Sequence, residues 1–331
     1  MGTADKQTDV GGDGQVDEEI EAEVGWRYTV AKVKRDTTAR WGMYIVIIVM
    51  AIAAIVTVDT FINRLTFGVL DRYWMAENLL GHHPTRIDSG AETRLPPAWY
   101  GEGTWTHPLG TDIHGRDYLT RLIYGTRVSV TVGVVATGLG LVGGTIIGAI
   151  AGYYGGWTDH VLMRGIEIVY SIPALILVIV FTVFVSGNRP DVQYAVIGVG
   201  IAFIPVFARM IRSRVVSVRE MEYVQAAKAA GIRDWAIIYR HVIPNSFAPV
   251  LVLATLQIGV TILIVAGLSF LGYGAQPPTP DWGQMLNTSR GYMLPSPWLS
   301  IWPGLAILIT IMGFNLLGDG LQDALDPRIE N

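Results

Sequence analysis

At 331 residues the chain has the length of one large or two ordinary soluble domains, but its composition excludes both. Hydrophobic residues make up 51%, charged residues only 16% and the mean hydropathy is +0.40, whereas soluble domains run at about a quarter charged. The net charge of −4 comes from residues 1–23, which hold eight acids and one base; the other 23 bases against 20 acids leave the body at +3, with no basic stripe suited to nucleic acid.

Residues 1–25 are rich in Gly, Asp and Glu and are expected to form a disordered acidic tail, too polar to offset their own ordering entropy. They lack the basic start and apolar core of a signal peptide, so the first apolar run is expected to remain as an anchor. Arg27, Lys32, Lys34, Arg35 and Arg40 then precede that run, making residues 26–61 a basic flank and a first span.

Residues 128–158, 241–280 and 291–318 contain no Asp, Glu, Lys or Arg. Each can hold a helix of ~20 residues, enough to cross a bilayer. The expected fold class is therefore all-α: a polytopic membrane protein with six transmembrane helices at 41–61, 128–152, 163–185, 194–211, 247–270 and 298–317. Residues 62–127 form an extracytoplasmic segment, 128–317 a five-helix core, and 318–331 a cytoplasmic tail. Bases flank the first span and crowd residues 209–240, which puts both termini and the 212–245 loop on the cytoplasmic side.

The second span carries Gly133, Gly138, Gly140, Gly143, Gly144, Gly148 and Gly152. Such spacing allows close helix approach, and packing within the subunit is the expected use. Pro173, Pro205, Pro249 and Pro303 are expected to kink spans. Asp59, Glu167 and Asp319 fall at span edges, so no span offers the buried ionisable pair that an ion-coupled secondary transporter would use.

Between the fourth and fifth spans, Glu220 to Ala230 favours a helix and Gly231 favours its termination. Asp234 can cap a second short helix, with Ile237, Ile238 and Val242 on one face and Pro244 as its stop. Gln225-Ala226-Ala227, then Gly231, His241 and Ile243-Pro244 resemble the EAA loop of ABC-importer permeases. Gln225, His241 and Ile243 stand where that family prefers Glu, Ile and Leu, and Glu222 lies one turn from Gln225. A second stretch, His107-Pro108, Gly110-Thr111-Asp112 and Gly115-Arg116-Asp117, continuing to Val130, resembles the signature of dipeptide, oligopeptide and nickel importer permeases. Phe270-Leu271-Gly272, Pro277, Trp282-Gly283 and the 318–328 ending are similar to the C-type subunit of that group.

The resemblance implies a type I ABC importer permease fold in the cell membrane of a prokaryote, moving di- or oligopeptides or similar solutes such as nickel. It implies a paralogous permease, two ATPase subunits and an extracytoplasmic solute-binding protein as partners, besides membrane lipid. ATP and Mg would sit on the ATPases, since this chain has no G-x4-G-K-[ST] loop and is not expected to be an enzyme. No cofactor or metal site is expected. His107, Asp112, His114 and Asp117 lack helical His-x3-His spacing, and Gly110, Gly115 and Gly125 suggest turns instead. Ser129 and His160 have no nucleophile elbow around them.

Overall fold

The computed structural model describes residues 26–87, 90, 92–187 and 191–325, so the acidic tail and the last six residues lie outside it. Helix α1 (Trp26–Arg35) leads into α2 (Thr37–Leu65), which Asp36 caps by accepting the Ala39 amide at 2.7 Å. The Thr38 hydroxyl and that amide hold the Asp36 carboxyl below its ordinary range. After a long connection come α3 (Tyr118–Tyr154), α4 (Gly156–Tyr170), α5 (Ala174–Ser186) and α6 (Val192–Arg219). Short helices α7 (Glu222–Ala229), α8 (Asp234–Ile237) and α9 (Ile243–Ser246) form the next connection. The chain ends in α10 (Ala248–Phe270), α11 (Trp282–Ser289) and α12 (Trp298–Leu325).

Among the described residues, α2, α3, α6, α10 and α12 are long and apolar enough to cross a membrane. The predicted third span, 163–185, is instead the pair α4 and α5, bent by 88°. Pro173 accounts for the break: it has no amide hydrogen, and it sits in an extended conformation (ψ 126°) as the residue before α5. A bidentate Arg212–Asp159 pair, both contacts 2.5 Å, ties α4 to α6. The other three prolines behave differently. Pro249 starts α10, while Pro205 and Pro303 lie inside continuous helices.

Helix α3 begins at Tyr118, not at 128 as hydropathy suggests, because Arg121 and Arg127 lie within its first turns. Its 37 residues span roughly 55 Å at ~1.5 Å per residue, well beyond a bilayer core of ~30 Å. Asp59 also departs from expectation. It is fully buried within α2, bonded to the Tyr124 hydroxyl and to the Met75 amide at 2.7 Å. The neighbouring Thr57 and Thr60 hydroxyls donate to the Ala53 and Val56 carbonyls of their own helix, and the polar partners of Asp59 arrive from elsewhere in the chain.

The centre of the fold is the contact of α3 with α6. Cβ atoms added at Gly140, Gly144, Gly148 and Gly152 would fall 3.0 Å from Phe203 Cβ, 2.4 Å from Phe207 Cβ, 2.4 Å from the Ala208 oxygen and 2.9 Å from the Arg212 oxygen. These glycines recur every four residues, so they form one face, and that face serves packing within the chain. Fully buried Phe207, Ile211 and Val215 on α6 continue the core toward the α7–α9 connection. Gly133 makes a similar seat for Ile262 of α10, at 2.6 Å.

Replacing Gly144 with Leu should force α3 from α6 and cost ~1–3 kcal/mol or more of stability. Gly138→Leu should be tolerated, because nothing lies within 4 Å of its added Cβ. Thermal unfolding of the two variants in detergent micelles checks the contrast.

Candidate functional site

Two clusters of sequence-predicted residues sit at opposite ends of α3. The first is the α7–α9 connection. Val224 and Ala227 of α7 are buried in the core, leaving Glu222, Gln225 and Ala226 exposed. Gln225 Nε2 donates to the Arg219 carbonyl at 2.8 Å, so this side chain is turned back on its own loop. Gly231 has φ 76°; its amide bonds to the Lys228 carbonyl and the Ile232 amide to that of Ala227, at 3.0 and 3.2 Å. That pair of bonds is the Schellman ending, which needs the left-handed conformation glycine adopts without strain.

Asp234 does not cap α8 as its position suggests. It lies in the helix's first turn and accepts the Tyr153 hydroxyl at 2.8 Å, joining the connection to the end of α3. Arg219 strengthens the same joint by donating to the Gly152 and Tyr153 carbonyls at 2.8 and 3.3 Å, where α3 has no further amides to offer. Pro244 does not stop the helical run either. A wide π-helical turn over Ile238–Val242 places Pro244 in the first turn of α9, where its missing amide costs nothing. Ile237 and Val242 are fully buried in the core shared by α3 and α6, while Ile243 packs at its edge and His241 is half-buried. The opposite side of the connection is open: Trp235 is 62% exposed and Tyr239 70%. Tyr223 and Ile232 are exposed beside them.

The second cluster lies before α3. Asp112 Oδ1 accepts the His114 and Arg116 amides at 2.8 and 3.0 Å, and Oδ2 accepts Arg116 Nε at 2.6 Å. Arg121 approaches the same oxygen at 3.4 Å and donates to the Pro84 and Pro278 carbonyls at 2.8 and 3.2 Å. Asp117 caps α3 by accepting the Thr120 amide at 2.7 Å, and its other oxygen is 3.0 Å from His107 Nδ1. Thr111 is fully buried, donating to the Glu92 carbonyl and accepting the Leu95 amide. The Pro108 carbonyl accepts the Ala98 amide. Gly110 and Gly115 take positive φ in turns, as the sequence suggests, with Gly110 pressed on the Leu95 carbonyl. Gly125 does not. It lies in α3 beneath Trp282, whose Cδ1 would be 2.9 Å from an added Cβ.

That tryptophan links the motif to the Trp282-Gly283 pair: its Nε1 donates to the Leu122 carbonyl at 2.9 Å. Ser129 donates to buried Asp281 at 2.9 Å, and Asp281 caps α11. Burial pushes the Asp281 carboxyl up, against the opposing hydrogen bonds from the Gln284 amide and Ser129. Ser129 thus serves as a packing and capping partner. Arg121 and Tyr124 are contributors that hydropathy and spacing did not single out, since each gains its meaning from partners far away in sequence.

Comparison with known proteins follows the same lines. Residues 144–331 match the family described as binding-protein-dependent transport system inner membrane component. A dipeptide transport system permease protein of Alkalihalophilus pseudofirmus is 45% identical over 225 residues, covering 68% of this chain and 73% of the relative. A glutathione transport system permease protein of Pectobacterium atrosepticum is 41% identical, covering 68% and 74%. The Haemophilus influenzae dipeptide permease is 43% identical, covering 71% and 79%. An inward-facing structure of the MetNI methionine ABC transporter shares the fold, with a TM-score of 0.51 and 19% identity over 62% of this chain and 97% of that one.

The Asp112 cluster gives a direct test. Asp112→Ala leaves the buried Arg116 and Arg121 without their carboxylate and should cost ~3–5 kcal/mol. A thermal-shift assay on purified protein should show a marked drop in melting temperature, while His114→Ala, at an exposed position, should melt near the parent.

Proposed function

Because the chain belongs to the family of binding-protein-dependent transport system inner membrane components, we propose that it forms one half of the membrane channel of an ATP-driven importer. The solutes are di- or oligopeptides or compounds of similar size, as the names of its relatives suggest. A paralogous permease completes the channel, two ATPase subunits drive it, and an extracytoplasmic binding protein delivers the solute. ATP and Mg belong to the ATPases.

The observation that carries this reading is the two-faced α7–α9 connection. One face buries Ile237 and Val242 in the protein's own core, and the other presents Trp235 and Tyr239 to a partner. Large aromatics surrounded by polar residues suit a docking contact. A loop seated this way can transmit a push, because it cannot shift without displacing α3 and α6. Solute enters from the side of the His107–Asp117 cluster, and ATP is spent on the side of the connection. The chain's own residues contribute shape and a rigid link, with no bond made or broken.

Trp235→Ala should leave insertion and melting temperature unchanged while lowering ATPase co-purification and peptide uptake at least about tenfold. Gly231→Val should act on the same step through strain of ~1–3 kcal/mol at its positive φ, since no atom lies within 4 Å of the added Cβ. Full uptake by either variant would overturn the docking role.

Orientation is checked by thiol labelling, which the absence of native cysteine makes free of background. Thr104 and Ser217 are both exposed, at opposite ends of the molecule. Thr104→Cys should react with an impermeant maleimide in intact cells, and Ser217→Cys only after permeabilisation. The reverse pattern would place the aromatic connection outside the cell.

A further inference from the structure

His82, His107 and Asp117 come from three separate segments, yet each brings one ligand-type atom within 4.8 Å of the other two. We propose that they bind a single divalent transition-metal ion of the zinc type, which clamps the turn at His82 onto the head of α3. In sequence these are ligand-type residues whose spacing argues against a site, because they lack the helical His-x3-His pattern and His82 lies far upstream of the other two.

The geometry is close to that of a bound site. His107 Nδ1 and Asp117 Oδ2 are 3.0 Å apart, near the edge of about 3.3 Å in a tetrahedron with bonds of roughly 2.0 Å. An ion there would displace the proton between these atoms, with His107 remaining a neutral imidazole that carries its proton on Nε2. Asp117 Oδ1 accepts the Thr120 amide, which fixes the carboxylate's rotation. His82 Nε2 donates to the Thr106 carbonyl at 2.8 Å, the outer contact that commonly orients a ligating imidazole. The two imidazole rings are 4.6 Å apart between centroids, so a small shift of His82 would close the set.

Burial grades the three residues. His107 and Asp117 are 6% and 1% exposed, while His82 is half-buried at the rim. An ion would therefore enter from solvent and keep a position for water. Two imidazoles and one carboxylate favour zinc or nickel over magnesium or calcium, which prefer an all-oxygen shell. Among the described residues, the nearby ligand-type groups are already engaged. Asp112 is engaged by Arg116 and Arg121, and His83 Nδ1 accepts the Thr85 and Arg86 amides.

The test is titration of the full-length chain in lipid nanodiscs, carrying an affinity tag without histidine, with zinc chloride and separately with magnesium chloride. The expected result is one saturable zinc site per chain, weakened at least about tenfold in His82→Ala and in Asp117→Asn, and unchanged in His114→Ala. Asp117→Asn keeps an oxygen for the Thr120 amide, and His82 is at the rim, so both variants should fold. Zinc should also raise the melting temperature of the parent but not of His82→Ala. Coincident zinc titrations of the parent and His82→Ala, no saturable zinc binding by the parent, or equal binding of magnesium would each overturn the site.

Discussion

Everything in this molecule is hung on the close approach of α3 and α6. Four glycines at intervals of four residues let the backbones meet, and side chains at those positions would overlap Phe203, Phe207, Ala208 and Arg212. In a bilayer, where lipid tails are as apolar as the helices, dense packing of this kind replaces the hydrophobic drive available in water. The contact also explains how a chain with a broken third span keeps its shape. Helix α4 is held to α6 by the Arg212–Asp159 pair, and α5 packs Val178 into the same core.

Helix α3 carries this rigidity to both ends of the protein. At one end Asp117, Arg121 and Tyr124 gather the segment between α2 and α3, the turn near Pro278 and α2 itself. At the other, Tyr153 holds Asp234 while its carbonyl and that of Gly152 hold Arg219. A displacement of the α7–α9 connection therefore acts directly on an element that reaches the outer motif. Such a continuous packed path can transmit a displacement, because interdigitated cores shift as units rather than deforming.

Polar groups are placed with equal economy. The buried carboxylates Asp59, Asp112, Asp117 and Asp281 are each met by backbone amides, hydroxyls or arginines, and each fastens one segment to another. In a low-dielectric interior an unpaired carboxylate would be costly, so these partners are a condition of folding. These four carboxylates thus hold segments of the chain together.

The sequence by itself determined the class of the protein. Charge-free runs reveal spans because burying charge in lipid is expensive, and Gly231 with Pro244 marks the connection because few residues tolerate those conformations. The motifs from His107 to Asp117 and from Gln225 to Pro244 were legible as local patterns. Tertiary structure decided the rest, for reasons of distance. Whether Pro173 kinks or breaks a span depends on what packs beside it, and here α4 finds Arg212 on α6. Asp234 looks like a cap until Tyr153 is brought beside it, and Gly125 looks like a turn until Trp282 covers it. His82 meets His107 and Asp117 only because the outer segment folds back over the start of α3. Periodicity and composition report what one stretch of chain prefers, whereas these partners are joined by contacts that no local pattern encodes.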